Sequence, residues 1–307
     1  MKKISGSARF QKISHQLILV FQFCCLFITT STMPFFGFFK KNKNQPFPTY
    51  SSETSHKLLD EKLTEPNQFV QTNVFCPICE KHHENFIDVA WNVTLRQDAC
   101  PTCSSQTRHR NLWLFLQQRK PDFFSEPLTV LHWAPENFFK EKILKMSNIQ
   151  YLRADLLPED DDTRKLDMTH LDLPDNCIDI VICNHVFEHV CNDQQAMKET
   201  FRILKPGGCA FLTVPTYDDL EKTFEDPTIF KSKDRLKYFD QSDHVRKYAA
   251  HDFANRLRKA GFEVEYHPIS SLTKKFRDTY GLNWAKGDTM GNAGRGADIF
   301  YCIKNNI

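Results

Sequence analysis

Cys76, Cys79, Cys100 and Cys103 form two Cys-Pro-X-Cys pairs with 20 residues between them. Two thiolates three positions apart turn back onto one ion, and two such knuckles complete a tetrahedral sulfur shell, the pattern of a zinc site. Four sulfurs leave no position for water, so an ion held there is structural. A disulfide or redox pair is the alternative. His82 and His83 follow the first knuckle; they could replace one sulfur or lie exposed in a loop.

A second set of reactive side chains comes later. Ile178–Cys183 is an apolar run ending in Asn184-His185, with Glu188 and His189 one turn on. Asp155 ends the run IQYLRAD, and Asp167-Met168 ends a shorter one. Asp243-His244 lies in a segment, Thr223–Tyr248, dense in charge and aromatics. A carboxylate beside a histidine can orient a general base. An ion-pair network that pins the segment accounts for the same residues. Arg108, His109 and Arg110 follow the second knuckle. They could contact an anionic acceptor, but the preferred reading is a solvated first turn of the helix Arg108–Arg119.

The elements that must position these groups are legible in outline. Strand Ile178–Cys183, helix Asp193–Leu204, a Lys-Pro-Gly-Gly turn (Lys205–Gly208) and strand Cys209–Val214 form a unit of a parallel α/β sheet. Before it stand strand Thr129–Ala134, helix Asn137–Met146 and strand Ile149–Asp155. After it come helix Asp252–Ala260 and strands Phe262–His267 and Ala297–Lys304. In open α/β sheets ligands sit at the carboxyl ends of the strands, which gathers Asn184, His185, Glu188 and His189 at one site. The glycine-rich stretch Gly281–Gly296 reads as a mobile lid.

The 307 residues are 41% apolar, with 27 Phe, enough for a sizeable core. A net charge of +2 argues against a broad nucleic-acid surface or an acidic polymer partner. Cysteines outside the knuckles fall in or beside apolar strands, where thiols pack as small hydrophobes; this usage implies a reducing, cytoplasmic setting. Basic residues before the apolar run Leu17–Ile28 imply the contrary, a signal peptide or anchor. A start at Met33 reconciles the two. Met33–Lys43, four Phe beside three Lys, could associate weakly with a membrane surface. The chain thus divides into 1–32, a signal-like or upstream extension; 33–73, a tail and linker; 74–125, a zinc-ribbon module with its helix; and 126–305, an α/β domain.

The ordered series from Asp167 to Pro215, with NHVFEH after one strand and LKPGG before the next, resembles class I S-adenosylmethionine-dependent methyltransferases. LHWAPE (131–136) is similar to a bacterial group with "LHxAPE" in place of the usual glycine-rich first loop. The same group carries a stretch similar to Thr223, Glu225, Asp226, Arg235, Phe239, Gln241, Asp243, His244, Arg246 and Tyr248. The resemblance implies a Rossmann-like seven-stranded sheet whose last strand runs antiparallel between the two before it. It also implies S-adenosylmethionine bound by His132, Ala134, Pro135, Glu136, Asp155, Asp167, Met168, Asn184 and His185. Asp155 would take the ribose hydroxyls, Asp167 and Met168 the adenine, and Glu136 the ammonium. Glu136 could equally be no more than a favourable charge at a helix N-terminus. His244, His185, His189 and Asp243 are the candidates for a base, and a small molecule or saccharide is the expected acceptor. An RNA or protein methyltransferase gripping its substrate through the ribbon is the alternative, as is a non-catalytic zinc-binding adaptor with a degenerate fold.

Overall fold

A computed structural model describes residues 74–91, 94–282 and 296–306. The expected N-terminal extension, tail and linker, and most of the glycine-rich stretch, lie outside them. Two hairpins come first: β1 (Val74–Cys76) with β2 (Lys81–His83), and β3 (Ile87–Trp91) with β4 (Thr94–Ala99). Helix α1 (Thr107–Arg119) follows, then β5 (Leu128–Trp133), α2 (Asn137–Ile143), β6 (Ile149–Asp155) and β7 (Arg164–Lys165). The second half runs β8 (Ile178–Asn184), α3 (Asp193–Ile203), β9 (Leu204–Thr213), β10 (Phe224–Glu225), α4 (Ser232–Phe239) and β11 (Arg246–Lys247). It ends with α5 (Ala250–Lys259), β12 (Glu263–His267), α6 (Lys274–Tyr280) and β13 (Ile299–Ile303).

Seven strands form one sheet in the order β12-β13-β9-β8-β5-β6-β7. Strands β5 to β9 pair in parallel, and β13 enters antiparallel between β9 and β12. The central strands are apolar on both faces, as a covered parallel sheet requires. Successive residues alternate between two cores. Leu131, Val181 and Cys183 face a cluster completed by Met197 of α3 and Leu257 of α5. Val130, Ile180 and Ile182 face another, completed by Leu112, Trp113 and Leu116 of α1 and by Cys76 and Cys100. The cysteine-bearing hairpins therefore share a core with one face of the sheet. Burying each such Leu or Trp side chain contributes about 1.5–3 kcal/mol.

Three sequence expectations change. Lys205–Gly208 is the irregular start of β9 rather than a turn before it. Gly207 N donates to Lys304 O at 2.7 Å, and Lys304 N donates back to Gly208 O. A Cβ on Gly208 would come within 2.9 Å of two backbone carbonyls, so the approach requires glycine. Helix α2 stops at Ile143 rather than Met146. Segment 223–248 is ordered: β10 pairs with β11, and between them α4 ends at Asp240 in the left-handed conformation, φ 68°. Among the described residues no helix is long and apolar enough to cross a membrane.

Candidate functional site

Strands β6, β5 and β8 run side by side, pairing Trp133 with both Ala154 and Cys183. Their next residues, Ala134, Asp155 and Asn184, therefore emerge together at the carboxyl edge. Chain order reverses between β5 and β8, the switch point at which open sheets form a crevice.

Glu136 lies beside this crevice, just before α2. Its Oε1 accepts from Asn184 Nδ2 at 3.1 Å and lies 3.2 Å from His109 Nε2; its Oε2 is 3.1 Å from His132 Nε2. Gln106 N donates to His109 Nδ1 at 3.0 Å, and Arg108 Nε donates at 3.0 Å to His109 Nε2, the nitrogen that also faces the carboxylate. On His132 the other nitrogen meets the Tyr151 hydroxyl at 2.8 Å. Burial alone would raise the Glu136 pKa. The hydrogen bonds from His109 and His132, and their charge, hold it well below the usual carboxylate range. Burial, then the charge of Arg108, lowers His109 to about 4 despite the opposing pull of Glu136. The result is a carboxylate held ionised by the groups around it.

The first loop has no glycine, yet Ala134 takes a left-handed φ of 46° while its N–H bonds Ala154 O at 2.8 Å. Asp155 Oδ1 accepts from Leu157 N, leaving Oδ2 uncommitted among the described hydrogen bonds. Asp167 is exposed, its Oδ1 holding Thr169 N and Oγ1, whereas Met168 is buried in the core.

Beyond Asn184, His185 has φ 52° and donates from Nε2 to Gly296 O at 2.6 Å. Burial, aided by the charge of Arg108, keeps it neutral, well below the usual histidine range. Asp243 does not orient His244 as the sequence suggested. It lies 3.4 Å from His189 Nδ1, while His244 Nδ1 donates to Phe239 O at 3.1 Å. Burial lowers His244 to about 3, too weak for a base at neutral pH. Burial raises Glu188 to about 7. The rest of segment 223–248 is the ion-pair network of the other reading: Glu225 bridges Arg246 and Arg256 at 2.8 Å each, and Asp193 takes Arg256 and the Tyr248 hydroxyl.

The four cysteine sulfurs lie within 4.8 Å of one another. Cys76–Cys103 and Cys79–Cys100 are 3.6 Å apart, so neither pair is a disulfide. Each knuckle closes in the same way: Glu80 N donates to Cys76 O and Ser104 N to Cys100 O, with both donors at positive φ. His83 is 3.4 Å from Cys100 Sγ, beside the sulfurs rather than in a loop, and His82 packs on Phe75. The expected solvated first turn of α1 is instead buried. Arg110 is fully buried, donating to Asp98 O, Tyr280 O and Gly281 O and lying 4.0 Å over the Phe86 ring. His109 was misjudged for the same reason. It shares a helical stripe with Leu112, Trp113 and Leu116, and that spacing marks it as inward-facing. Tyr151 and Asp98 gave no comparable local signal.

A relative from Mycolicibacterium smegmatis, named a "Probable S-adenosylmethionine-dependent methyltransferase", is 32% identical over 104 residues. These are 34% of this chain and 36% of the relative, so the match spans about a third of that protein's length. Among solved structures, the Burkholderia thailandensis 1,6-didemethyltoxoflavin-N1-methyltransferase bound to S-adenosylhomocysteine is 12% identical. It covers 65% of this chain and 79% of its own, with a TM-score of 0.45. An S-adenosylmethionine-dependent methyltransferase from Mesorhizobium loti is also 12% identical, covering 63% and 97%, with a TM-score of 0.46. Residues 59–267 match the family described as "Methyltransferase domain". That match reaches the end of β12 and takes in well over half of the chain, and the protein therefore belongs to this methyltransferase family.

Proposed function

We propose that the protein transfers a methyl group from S-adenosylmethionine to an oxygen of a small molecule or saccharide, in a crevice at the carboxyl edge of β5, β6 and β8. The observation that carries this reading is the state of Glu136. A carboxylate has about four acceptor directions. His109, His132 and Asn184 take three, and one remains for the ammonium of the cofactor's methionine moiety. Asp155, one strand over, offers Oδ2 to the ribose hydroxyls. Asp167 and Met168 are assigned to the adenine, and His132, Ala134, Pro135, Asn184 and His185 to the crevice wall.

The cofactor supplies an electrophilic methyl on a sulfonium. The chain supplies alignment, which accounts for much of the acceleration in a displacement of this kind. A base is needed only where the acceptor loses a proton as it attacks. His185 and His244 are held neutral but are weak bases, so orientation is the role best suited to them.

The cysteine cluster fits a structural zinc. Zinc–sulfur bonds of about 2.3 Å give a tetrahedral edge of about 3.8 Å, close to the 3.6 Å separations. His83 and Ser105, which lies 3.3 Å from Cys76 Sγ, suit the role of polar neighbours to such sulfurs. A ribbon gripping RNA through Arg110 is disfavoured, because that guanidinium is consumed by carbonyls within the fold.

Calorimetric titration of the folded, full-length chain with S-adenosylmethionine tests the reading, with Asp155→Ala as control. Binding that is lost in the variant supports it. Absence of binding to folded wild type overturns it and leaves the adaptor alternative.

A further inference from the structure

Glu188, His189 and His244 each present a ligand-type atom, all within 4.8 Å of one another. Glu188 is 1% exposed, and neither carboxylate oxygen has a hydrogen-bond partner among the described residues. His189 Nδ1 is in the same position. The nearest opposite groups, His185 Nδ1 at 3.5 Å from Glu188 and Asp243 Oδ2 at 3.4 Å from His189, stand outside good hydrogen-bond geometry. A buried carboxylate without donors is costly, and sites that retain one usually pair it with a cation.

The imidazoles are arranged to meet that need. His244 Nδ1 donates to the Phe239 carbonyl, which can only accept. This fixes the tautomer and leaves the Nε2 lone pair free, the way in which metal-binding histidines are commonly oriented. The two contributing segments are fastened together, since Val245 N donates to Glu188 O at 2.9 Å. Arg246 also donates to Phe187 O at 3.1 Å. The three side chains therefore converge on a braced scaffold.

We propose that Glu188, His189 and His244 bind a divalent transition-metal cation. Two imidazoles and a carboxylate select zinc, cobalt, iron or manganese over magnesium or calcium. Ligands to such an ion lie about 2.1 Å from it, so the three groups draw inward slightly on binding. Three protein ligands leave coordination positions open. On the methyltransferase reading, an oxygen of the acceptor fills one of them; the binding itself does not depend on that reading.

The test counts zinc per chain by mass spectrometry, after the full-length protein is saturated with zinc and freed of excess by gel filtration. Wild type carries one equivalent more than Glu188→Gln or His244→Gln. The sulfur site is common to all three, so the difference alone reports this site. Equal zinc in folded wild type and folded variants overturns the proposal. Cobalt absorption of wild type alone gives a check that needs no variant: with the sulfur site already filled by zinc, one equivalent of cobalt must add visible bands without a thiolate charge-transfer band, and the absence of such bands overturns it. A chain that binds zinc here but no S-adenosylmethionine sinks the methyltransferase reading and leaves the metal site standing.

Discussion

His109, in the helix that follows the cysteine knuckles, and Glu136, in the loop after the first strand of the large sheet, stand 3.2 Å apart, imidazole nitrogen to carboxylate oxygen. One hydrogen bond thus ties the cysteine-bearing half to the floor of the proposed cofactor site. His109→Phe keeps a ring in the apolar stripe but removes the imidazole nitrogen that faces Glu136. A hydrogen bond to a charged group contributes about 1.5–3 kcal/mol. Affinity for S-adenosylmethionine should therefore fall roughly 10-fold or more. Unchanged affinity by calorimetry would show that Glu136 does not meet the cofactor.

Acid should weaken the fold through the same ring. The folded chain keeps His109 neutral with a pKa of about 4, while the unfolded chain takes up a proton near pH 6.5. The unfolded state therefore holds the extra proton between these values. Stability is fully present above pH 6.5 and is lost as pH falls toward 4. The contribution is on the order of 3 kcal/mol. Urea denaturation across this window should be steeper for wild type than for His109→Phe, and parallel curves would refute the assignment.

Arg110→Met should destabilise the protein by about 3–5 kcal/mol, because it strands the buried carboxylate of Asp98 and frees the carbonyls of Tyr280 and Gly281. A loss below about 1 kcal/mol in the same denaturation assay would mean that the pair is readily replaced by apolar packing.

On the proposed zinc reading, a chelator should release one equivalent from the sulfur cluster and lower the melting temperature of the sheet itself, not of the hairpins alone. Cys76 and Cys100 are part of the core on that face of the sheet. Calorimetric scans that show an unaltered main transition after stripping would contradict this.

Ala134→Gly should raise stability by about 0.5–1 kcal/mol. Glycine removes the left-handed penalty at φ 46° at a smaller entropic cost. A melting temperature that falls would indicate that the methyl group packs usefully.

The sheet was readable from sequence because β5, β6, β8 and β9 are apolar runs bounded by turns, and the two knuckles were readable from spacing alone. Pairings across long separations were not. Asp243 meets His189 rather than its neighbour His244, and Glu225 bridges two arginines from different elements. Nothing in a local window distinguishes such partners from alternatives. Segment 223–248 lacked a period because ion pairs and scattered buried aromatics such as Phe239 and Tyr248, not one continuous apolar face, hold it. His109 is the exception: its helical stripe carried the signal, which the charge of the flanking Arg108 and Arg110 obscured.

Neighbouring side chains of α1 hold two points of the chain: Arg110 bonds Gly281 O, and Asn111 bonds Ala297 O at 2.7 Å. The cysteine-bearing segment is therefore no detachable accessory. Excising it, or grafting the sheet elsewhere without it, removes the fastening of the last strand's approach as well as the roof of one core. Dissection of this protein has to proceed by point substitution, and a chimera must carry the two halves together.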